Sequence, residues 1–410
     1  MRIAIVGSGI SGLVCAHLLH GAHDVTLFEA GEHAGGHTHT VDIELHGRVH
    51  AVDTGFIVFN DRTYPNFTRL LARLEVARQP TTMSFSVRCD RTGLEYNGST
   101  LNQLFIQRRN VVRPSFLRMI GDILRFNREA PRTLGTPAAG RPLRELLAAG
   151  GYSKGFVEHY LVPMGSAIWS MPPARLLDFP AGFFVRFFSN HGLLSVSDRP
   201  QWFVIEGGSR SYVERLLAPL RDRVRLRTPV MAVKRTAGGV ELEPGGRFDH
   251  VILACHSDQA LRLLADPTPA EREILGALPY QENEVVLHTD ASLLPRRRGA
   301  WAAWNYRIPR EKQETVAVTY HMNALQGLEA PEELCVTLNR TAEIDPARVR
   351  GRYRYAHPVY TLEGLAAQRR HAEISGVSGT HFCGAYWGYG FHEDGVNSAL
   401  AVCKAFGRSL

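Results

Sequence analysis

The hydrophobic pattern at the start of the chain predicts a strand, a tight turn and a helix in immediate succession. Arg2 to Val6 (RIAIV) is a short β-branched strand, and the apolar run Leu13 to Leu19 is typical of a buried helix. Between them, GSGISG places Gly7, Gly9 and Gly12 at the G-x-G-x-x-G spacing. A strand, turn and helix of this kind seat a pyrophosphate at the helix N-terminus, although the glycines alone are a weak signal.

A second apolar strand, DVTLFEA, carries Glu29 near its end, about 20 residues after the glycines. A carboxylate here can bind the hydroxyls of a ribose and would repel a 2′-phosphate, so NADP is disfavoured. The alternative is an acid that only closes a surface strand. In the next loop, EHAGGHTHT, the pair Gly35 and Gly36 lets the backbone approach a ligand closely.

Histidines are frequent in the same region. A metal site is one interpretation, but their spacing matches no ligand set and no acidic or thiol partner joins them. We therefore expect no metal and favour surface or phosphate-facing imidazoles. The histidines are His33, His37, His39, His46 and His50.

Two segments in the middle of the chain are strongly apolar. QRRNVVRPSFLRMIGDILRFNREAPR predicts an amphipathic helix, which either lies on an anionic membrane surface or packs on the core with its arginines solvated. FPAGFFVRFFSNHGLL (Phe179 to Leu194) either lines an acyl-sized pocket or belongs to the core. The apolar side of the amphipathic helix carries Phe116, Ile120 and Ile123, and its flanks carry Arg109, Arg113, Arg118, Arg125 and Arg128.

The C-terminal stretch FCGAYWGYGFHEDGVNSALAV (Phe382 to Val402) predicts a strand, a glycine-rich aromatic loop and the start of a helix. Glu393 and Asp394 suit the first helical turn. Each aromatic residue of the loop alone fits a core, but as a group they predict a pocket lining. These aromatic residues are Tyr386, Trp387, Tyr389 and Phe391.

Composition narrows the class of protein. At 410 residues, with 44% hydrophobic and 21% charged positions, the chain is typical of a globular protein of two or three structural units. No apolar run approaches the ~20 residues of a membrane span, and no signal peptide precedes the first strand pattern. The expected location is the cytoplasm, with peripheral attachment at the inner membrane surface if the basic helix lies on lipid.

The cysteines argue against a disulfide-linked or dithiol redox protein, and the charge pattern argues against a nucleic-acid-binding protein. The six cysteines form no C-x-x-C pair, so they are expected to be buried free thiols. The net charge is +7, but only four of the 47 basic residues are lysines, and no stacking module or helix-turn-helix pattern accompanies the charge. Nucleic acid is therefore not an expected partner.

The strand with GSGISG, Glu29 and the Gly35-Gly36 loop together resemble the flavin-binding N-terminus of the superfamily of amine oxidases, protoporphyrinogen oxidase and phytoene desaturase. THFCGAYWGYGFHEDGVNSAL resembles the C-terminal flavin motif of that superfamily, in which a helix begins over the isoalloxazine. The resemblance implies FAD. We expect it to be held non-covalently, since no established attachment pattern surrounds Cys383, the cysteine near the motif, but covalent attachment stays open. Those enzymes usually carry arginine after the Gly-Gly pair, whereas this chain has His37, so phosphate neutralisation there is weaker or comes from elsewhere.

The same resemblance implies roles for individual positions. Val230, in the strand-like TPVMAVKR, would contact the adenine side, and Tyr389 would form one wall of an aromatic cage. The implied substrate-pocket residues are Trp387, Tyr389 and Phe391. The implied FAD-binding residues are Gly7, Gly9, Ser11, Gly12, Glu29, Ala30, Gly35, Gly36, His37, Thr38, Gly55, Phe56, Val230, Gly384, Glu393, Gly395 and Val396.

Finer features resemble a bacterial group of predicted NAD/FAD-binding, amine-oxidase-like proteins. They are DTGFIVFN (Asp53 to Asn60), VTYHMNALQ (Val318 to Gln326), HPVYT (His357 to Thr361) and the C-terminal motif. Members of that group are typically encoded beside, or in plants fused to, cyclopropane-fatty-acyl-phospholipid synthase-like methyltransferases. The implied substrate is then an unsaturated or methylated lipid acyl chain, and the implied partner is such a methyltransferase.

One departure from the amine oxidase pattern makes oxidation of an amine by dioxygen a less favoured activity for this chain. Amine oxidases commonly place a lysine that holds a water near flavin N5. The lysines of this chain match no such site; they are Lys154, Lys234, Lys312 and Lys404.

The expected fold is α/β with an α+β substrate domain, in the manner of two-domain, glutathione-reductase-like FAD oxidoreductases. A Rossmann-like FAD domain is assembled from residues 1–82, 201–260 and 372–410, and a substrate domain from residues 83–200 and 261–371. No second G-x-G-x-x-G indicates an NAD(P)H domain, so the substrate itself reduces the flavin.

The expected activity is that of an FAD-dependent oxidase or desaturase, in which a hydride passes from the acyl chain to flavin N5. Tyr320, His321 and Tyr389 are the candidate catalytic groups. Two alternatives stay open: a flavin amine or polyamine oxidase, and a non-catalytic flavin-holding or lipid-binding partner of a lipid methyltransferase.

Overall fold

A computed structural model of the chain describes residues 1–311 and 314–410. In chain order, the strands are β1 (Arg2–Val6), β2 (Asp24–Phe28), β3 (Thr40–Leu45), β4 (Arg48–Asp53), β5 (Phe59–Asn60), β6 (Arg78–Thr81), β7 (Phe85–Cys89), β8 (Leu94–Asn97), β9 (Trp202–Ile205), β10 (Val224–Arg225), β11 (Ala232–Thr236), β12 (Gly239–Glu243), β13 (Gly246–Phe248), β14 (His250–Leu253), β15 (Tyr280–His288), β16 (Trp304–Ile308), β17 (Val318–His321), β18 (Cys335–Leu338), β19 (Val349–Pro358) and β20 (Thr380–Phe382).

The helices, in the same order, are α1 (Ile10–Leu19), α2 (Pro65–Arg73), α3 (Leu101–Leu104), α4 (Pro114–Glu129), α5 (Leu143–Ala149), α6 (Lys154–Phe156), α7 (Val162–Trp169), α8 (Pro173–Leu176), α9 (Ala181–Asn190), α10 (Arg210–Leu217), α11 (Ser257–Leu263), α12 (Pro269–Gly276), α13 (Met322–Gln326), α14 (Leu362–Gln368), α15 (His371–Ile374) and α16 (His392–Ala405). Within residues 1–311 and 314–410, no helix has both the length and the apolarity needed to cross a membrane.

A five-stranded sheet in the order β10-β2-β1-β14-β20 is parallel at every pairing. Side chains alternate along β1, so Ile3 and Ile5 pack against α1, α10 and α16 while Ala4 and Val6 face the β11–β13 layer. Burial on both faces explains the continuous apolar run of β1. This sheet confirms the expected Rossmann-like α/β architecture.

A seven-stranded sheet in the order β19-β15-β18-β17-β16-β7-β8 forms the second layer. Its pairings are antiparallel except for β16 with β7, which places Trp304 beside Phe85 and joins two distant parts of the chain. Helices α4, α7 and α9 pack against this sheet and complete the largest hydrophobic core.

The structure suggests different domain boundaries from those expected. Ala260, Ile274, Ala367 and Ile374, from α11, α12, α14 and α15, share a core with the parallel sheet. We therefore propose that residues 261–276 and 362–371 belong to the nucleotide-binding unit, although the sequence-based division put all of 261–371 in the substrate domain.

The amphipathic segment forms a 3₁₀ turn, Arg108–Val112, followed by α4. Phe116 is buried, and Ile120 and Ile123 pack beside it on the core. The apolar side that the sequence identified therefore faces the protein core, as in the second of the two interpretations.

Candidate functional site

A cavity of about 1160 Å³ lies between the carboxyl edge of the parallel sheet and one face of the seven-stranded sheet. Ligands of open α/β sheets bind outside this edge. We call one part the nucleotide end, which is lined by residues including Gly7, Glu29, Val230, Cys255 and Arg262. We call the other part the substrate end, which is lined by residues including Phe85, Ile168, Trp202, Trp304 and Tyr320.

The turn between β1 and α1 is built for close approach. Gly7 has φ +100°, and a Cβ on it would lie 2.9 Å from the carbonyl oxygen of Ala254. A Cβ on Gly12 would collide with the carbonyl of Gly7. A Cβ on Gly9, which lines the cavity, would meet no atom within 4 Å, so the space beside Gly9 is open to a ligand.

Glu29 holds this turn in place as well as lining the cavity. Its Oε2 accepts hydrogen bonds from Ser8 N at 2.9 Å and from Ser8 Oγ at 2.5 Å, and its Oε1 accepts one from Gly31 N at 2.7 Å. A carboxylate has more acceptor positions than these three bonds use, so Glu29 can still accept from a ribose hydroxyl.

The second glycine loop lies directly on the first. Gly35 N donates to Ser8 O at 3.0 Å, and a Cβ on Gly36 would lie 3.0 Å from Gly9 Cα. Phe56 N donates to His37 O at 2.8 Å, which brings Gly55 and Phe56 to the same wall. Twelve of the seventeen FAD-binding positions expected from sequence line the cavity: Gly7, Gly9, Ser11, Glu29, Ala30, Gly35, Gly36, His37, Gly55, Phe56, Val230 and Gly384.

The other five expected positions lie behind the cavity wall, and three of them belong to the start of α16. Glu393 accepts from Asn66 N at 3.0 Å and Phe67 N at 2.8 Å, so it caps α2. Gly395 is where α1 crosses α16, since Ser11 Oγ donates to Gly395 O at 2.9 Å. Val396 is fully buried in the core between these helices. The remaining two are Gly12 and Thr38.

The N-terminal end of α16 reaches the cavity through Phe391 and His392 instead. The His392 ring stacks on Phe56 with centroids 3.4 Å apart, and its Nε2 lies 3.0 Å from both Thr38 Oγ1 and Tyr212 Oη. Burial lowers the pKa of His392 to about 3, so the imidazole is neutral. Sequence reasoning did not single out His392, although it stands in the quoted C-terminal motif.

A group of three histidines lines the cavity beside the glycine loops. The ring centroid of His37 lies 5.9 Å from that of His256 and 5.3 Å from that of His357. His37 Nε2 is buried and makes no hydrogen bond with any described residue. Burial, together with the neighbouring imidazoles, lowers the pKa of His37 well below its usual 6.5 and that of His357 to about 4. We call His37, His256 and His357 the histidine group.

Aromatic and aliphatic side chains dominate the substrate end. Tyr389 packs on Phe183 with centroids 4.4 Å apart, and Trp169 Nε1 donates to Tyr389 O at 3.2 Å. Burial raises the pKa of both Tyr320 and Tyr389, so their phenols remain protonated. The apolar lining residues are Met83, Phe85, Met164, Ile168, Trp169, Phe187, Leu193, Trp202, Trp304, Tyr320, Tyr389 and Phe391.

The segment Phe179 to Leu194 serves both expected roles, since some of its side chains belong to the core and others line the cavity. Phe184 and Phe188 are core residues, whereas Phe187, His191 and Leu193 line the cavity. His191 Nδ1 lies 3.0 Å from Phe187 O, which makes Nδ1 the protonated nitrogen and leaves Nε2 as an acceptor. Burial lowers the pKa of His191 to about 4.

Two expected site residues lie elsewhere. Trp387 packs against His371 and the core of the nucleotide-binding unit, so we no longer assign it to the substrate pocket. His321 Nε2 lies 2.6 Å from Glu333 and the ring packs on Trp301, away from the cavity lining. Tyr320 and Tyr389 are the expected catalytic candidates that face the cavity.

The charges around the cavity are unevenly placed. Among residues 1–311 and 314–410, the acidic residues that line it are Glu29, at the nucleotide end, and Glu282, on β15 beside the histidine group. The substrate end has Arg199 and the neutral His191. Lys154, Lys234 and Lys404 do not line the cavity, and Lys312 lies outside the described residues.

Cysteines offer no attachment point in the described part of the chain. Cys383 is fully buried and its Sγ lies 4.0 Å from Cys15 Sγ, behind the cavity wall. Cys255 lines the cavity, but burial raises the pKa of its thiol to about 12. Non-covalent cofactor binding therefore stays the prediction.

These features fit FAD. The open space beside Gly9, the unpartnered His37 Nε2 and the carboxylate of Glu29 are suited to a pyrophosphate and a ribose. Gly384, Phe391 and His392 would border the isoalloxazine, and Val230 the adenine side.

Comparisons with known proteins agree with this site. A model of the family described as flavin containing amine oxidoreductase matches residues 10–299. L-amino-acid oxidase of Mus musculus is 26% identical in an alignment of 335 positions, which covers 73% of this chain and 48% of that protein. The chain thus spans about half the length of this relative.

Solved structures share the fold. Cyclohexylamine oxidase from Brevibacterium oxydans IH-35A superposes with a TM-score of 0.71 at 16% identity, over 99% of both chains. The CLA-producing fatty acid isomerase from P. acnes superposes with a TM-score of 0.71 at 16% identity, over 99% of this chain and 98% of that one. At this identity, the likeness is one of fold.

Proposed function

Because this chain belongs to the flavin containing amine oxidoreductase family and its cofactor is FAD, we propose that it removes two hydrogens from the acyl chain of a lipid. One carbon of the chain loses a hydride and its neighbour a proton, which leaves a carbon–carbon double bond. Bound FAD supplies the oxidant, since its isoalloxazine accepts the hydride. Dioxygen or another two-electron acceptor would take the electrons from the protein afterwards.

The observation that carries this proposal is the chemistry of the substrate end. Its lining is mainly aromatic and aliphatic, with Arg199 as a charged side chain and a few polar groups, namely those of Thr81, Thr82, Ser84, Ser170 and Gln201. No acidic residue of the described chain lines this end, so an ammonium group would lose its hydration without a carboxylate to replace it. An apolar chain, with an anionic headgroup near Arg199, suits this lining better than a polyamine.

The residues of this chain would mainly orient the substrate and exclude water. The protonated phenols of Tyr320 and Tyr389 can donate hydrogen bonds but cannot act as bases near neutral pH. His191 is the better proton acceptor, because it is neutral and its Nε2 makes no hydrogen bond with described residues.

Two similarities support different substrates. The P. acnes protein with this fold is named as acting on a fatty acid, and the Brevibacterium protein as acting on cyclohexylamine. A neutral, apolar amine would also fit an aromatic lining, so an amine oxidase is the second candidate. The methyltransferase partner and a non-catalytic role beside it rest on the sequence resemblance. A cytoplasmic location with peripheral attachment at the inner membrane surface rests on the composition and on the basic amphipathic helix.

Anaerobic rapid mixing of the FAD-loaded protein with lipids tests the proposal. We expect bleaching of the oxidised flavin band by phospholipids or fatty acids with unsaturated or methylated chains, and no bleaching by putrescine. Bleaching by amines alone would establish the second candidate. If neither class reduces the flavin and a lipid methyltransferase co-purifies, the non-catalytic role is correct.

A further inference from the structure

The outer surface of α3, the following 3₁₀ turn and α4 exposes an unusual density of apolar side chains. Single exposed leucines and valines are normal on a protein surface, but a cluster is not. Twelve large hydrophobic residues are exposed in the described chain, and five of them fall between residues 101 and 124. These five are Leu101 (75% exposed), Val111 (50%), Val112 (80%), Leu117 (45%) and Leu124 (54%).

The exposed leucines of α4 are distinct from its core-facing side. Leu117, Gly121, Leu124 and Arg128 follow one another at helical spacing and are all exposed. Phe116, Met119 and Phe126, on the opposite side, are buried in the core. The helix therefore presents a second apolar stripe to solvent, which the sequence pattern alone did not separate from the first.

The charge of this surface is of one sign. Residues 96–121 include Arg108, Arg109, Arg113 and Arg118 and no acidic residue. Arg109, Arg113 and Arg118 form no ion pair among the described residues, whereas many arginines of this chain do. Positive charge beside exposed leucine and valine is complementary to anionic lipid headgroups over acyl chains.

The surface also lies next to the substrate end of the cavity. Phe85, which lines that end, accepts a hydrogen bond from Gly98 N at 3.0 Å. Leu101 follows Gly98 by three residues, and Phe105 packs on Phe116 with ring centroids 5.8 Å apart. The hairpin of β7 and β8 thus connects the Leu101 end of the apolar surface to the cavity lining.

We propose that this face, formed by Leu101, Val111, Val112, Leu117, Leu124 and the unpaired arginines beside them, lies on the surface of an anionic phospholipid bilayer. The apolar side chains enter the level of the headgroups and the arginines contact phosphates. Membrane binding agrees with a lipid substrate, but it does not depend on the proposed reaction. Binding to vesicles can therefore be measured without any turnover.

Co-sedimentation of the FAD-loaded protein with vesicles tests the inference. The wild-type chain should bind vesicles that contain phosphatidylglycerol and bind pure phosphatidylcholine weakly, and added salt should lower the bound fraction. V112S/L117S/L124S should weaken binding about tenfold, since each substitution removes apolar area from the interface. V49S/L362S/V377S is the matched control, because those residues are 65%, 45% and 48% exposed elsewhere, and it should bind as the wild type does.

The charge is tested in the same assay. R109Q/R113Q/R118Q should weaken binding to anionic vesicles, and its control, R48Q/R215Q/R272Q, removes three exposed arginines outside the face. Equal effects of the face and control variants, or no vesicle binding by the wild type, would overturn the inference. So would binding that heparin displaces and that the apolar triple variant leaves unchanged, since this marks a polyanion site. If vesicles bind but no lipid reduces the flavin, the surface stands and the proposed activity fails.

Discussion

A single imidazole stands where relatives of this chain usually carry an arginine, and its surroundings predict how FAD binding responds to pH. Without an anion nearby, burial and the rings of His256, His357 and His392 lower the pKa of His37. A pyrophosphate beside the unpartnered Nε2 would raise that pKa, so the protein would take up a proton on binding FAD. The affinity must then rise as the pH falls.

We expect the dissociation constant for FAD to decrease roughly three- to tenfold between about pH 8 and about pH 6. Fluorescence titration of the apoprotein measures it. H37N should flatten the dependence, while H46N, at an exposed hairpin position, should keep it. If the pH dependence of the dissociation constant persists in H37N, His37 is not the residue that meets the phosphates. Another member of the histidine group, or a group outside it, would then be responsible.

Residues with a motif were predicted more successfully than residues whose role depends on packing. Gly7, Gly9, Glu29 and Val230 line the cavity, because backbone geometry and a strand end determine their position. Glu393 and Gly395 stand in the right motif but serve another helix, which spacing along one chain cannot show. His191 and His256 had no motif, and only their placement on the cavity wall identifies them.

At the scale of secondary-structure elements, the crossing of α1 and α16 sets where the two helix starts meet the cavity. A Cβ on Gly395 would lie 2.6 Å from Ile10 Cγ2 and 3.1 Å from Ser11 Oγ, so G395A must push the helices apart. We expect a loss of about 1–3 kcal/mol in the free energy of unfolding and weaker FAD binding. Thermal unfolding and FAD titration measure both.

Gly121 supplies the matched control for this helix crossing. It lies inside α4, and a Cβ on it would meet no atom within 4 Å, so G121A should stabilise the protein by about 0.5–1 kcal/mol. Equal effects of the two substitutions would mean that helix propensity, and not the crossing, decides the outcome.

Among the elements, segments with a clear apolar pattern or a flanking motif were the most predictable. The first strand, the first helix and the C-terminal helix appear where their patterns placed them. It was harder to predict from the sequence which segments cover which sheet, since α12 and α14 are amphipathic helices whose sequences suit either core. Only the packed structure shows that they cover the parallel sheet.

For the whole molecule, both sheets contribute walls to one cavity, so FAD should stabilise the two layers together. At a concentration 100 times its dissociation constant, FAD should add about 2.7 kcal/mol to the free energy of unfolding. Circular dichroism and tryptophan fluorescence should report one shifted transition. G9V should unfold like the apoprotein with or without FAD, because a Cβ at this position meets no protein atom within 4 Å and the valine would occupy the space beside the glycine loops.

The charge distribution of the whole cavity predicts how pH separates the two candidate substrates. An alkyl amine with a pKa of about 10.4 is almost fully protonated near neutral pH, and the substrate end offers its ammonium no carboxylate within the described chain. Only the free base should enter, so kcat/KM for flavin reduction by an amine should rise about tenfold per pH unit below that pKa. Acyl lipids should show no such slope, and His191 adds none above about pH 6, since its pKa lies near 4. Efficient reduction by putrescine that is independent of pH between about 6 and 8 would mean that the cavity accepts the dication, and the lipid proposal would then be wrong.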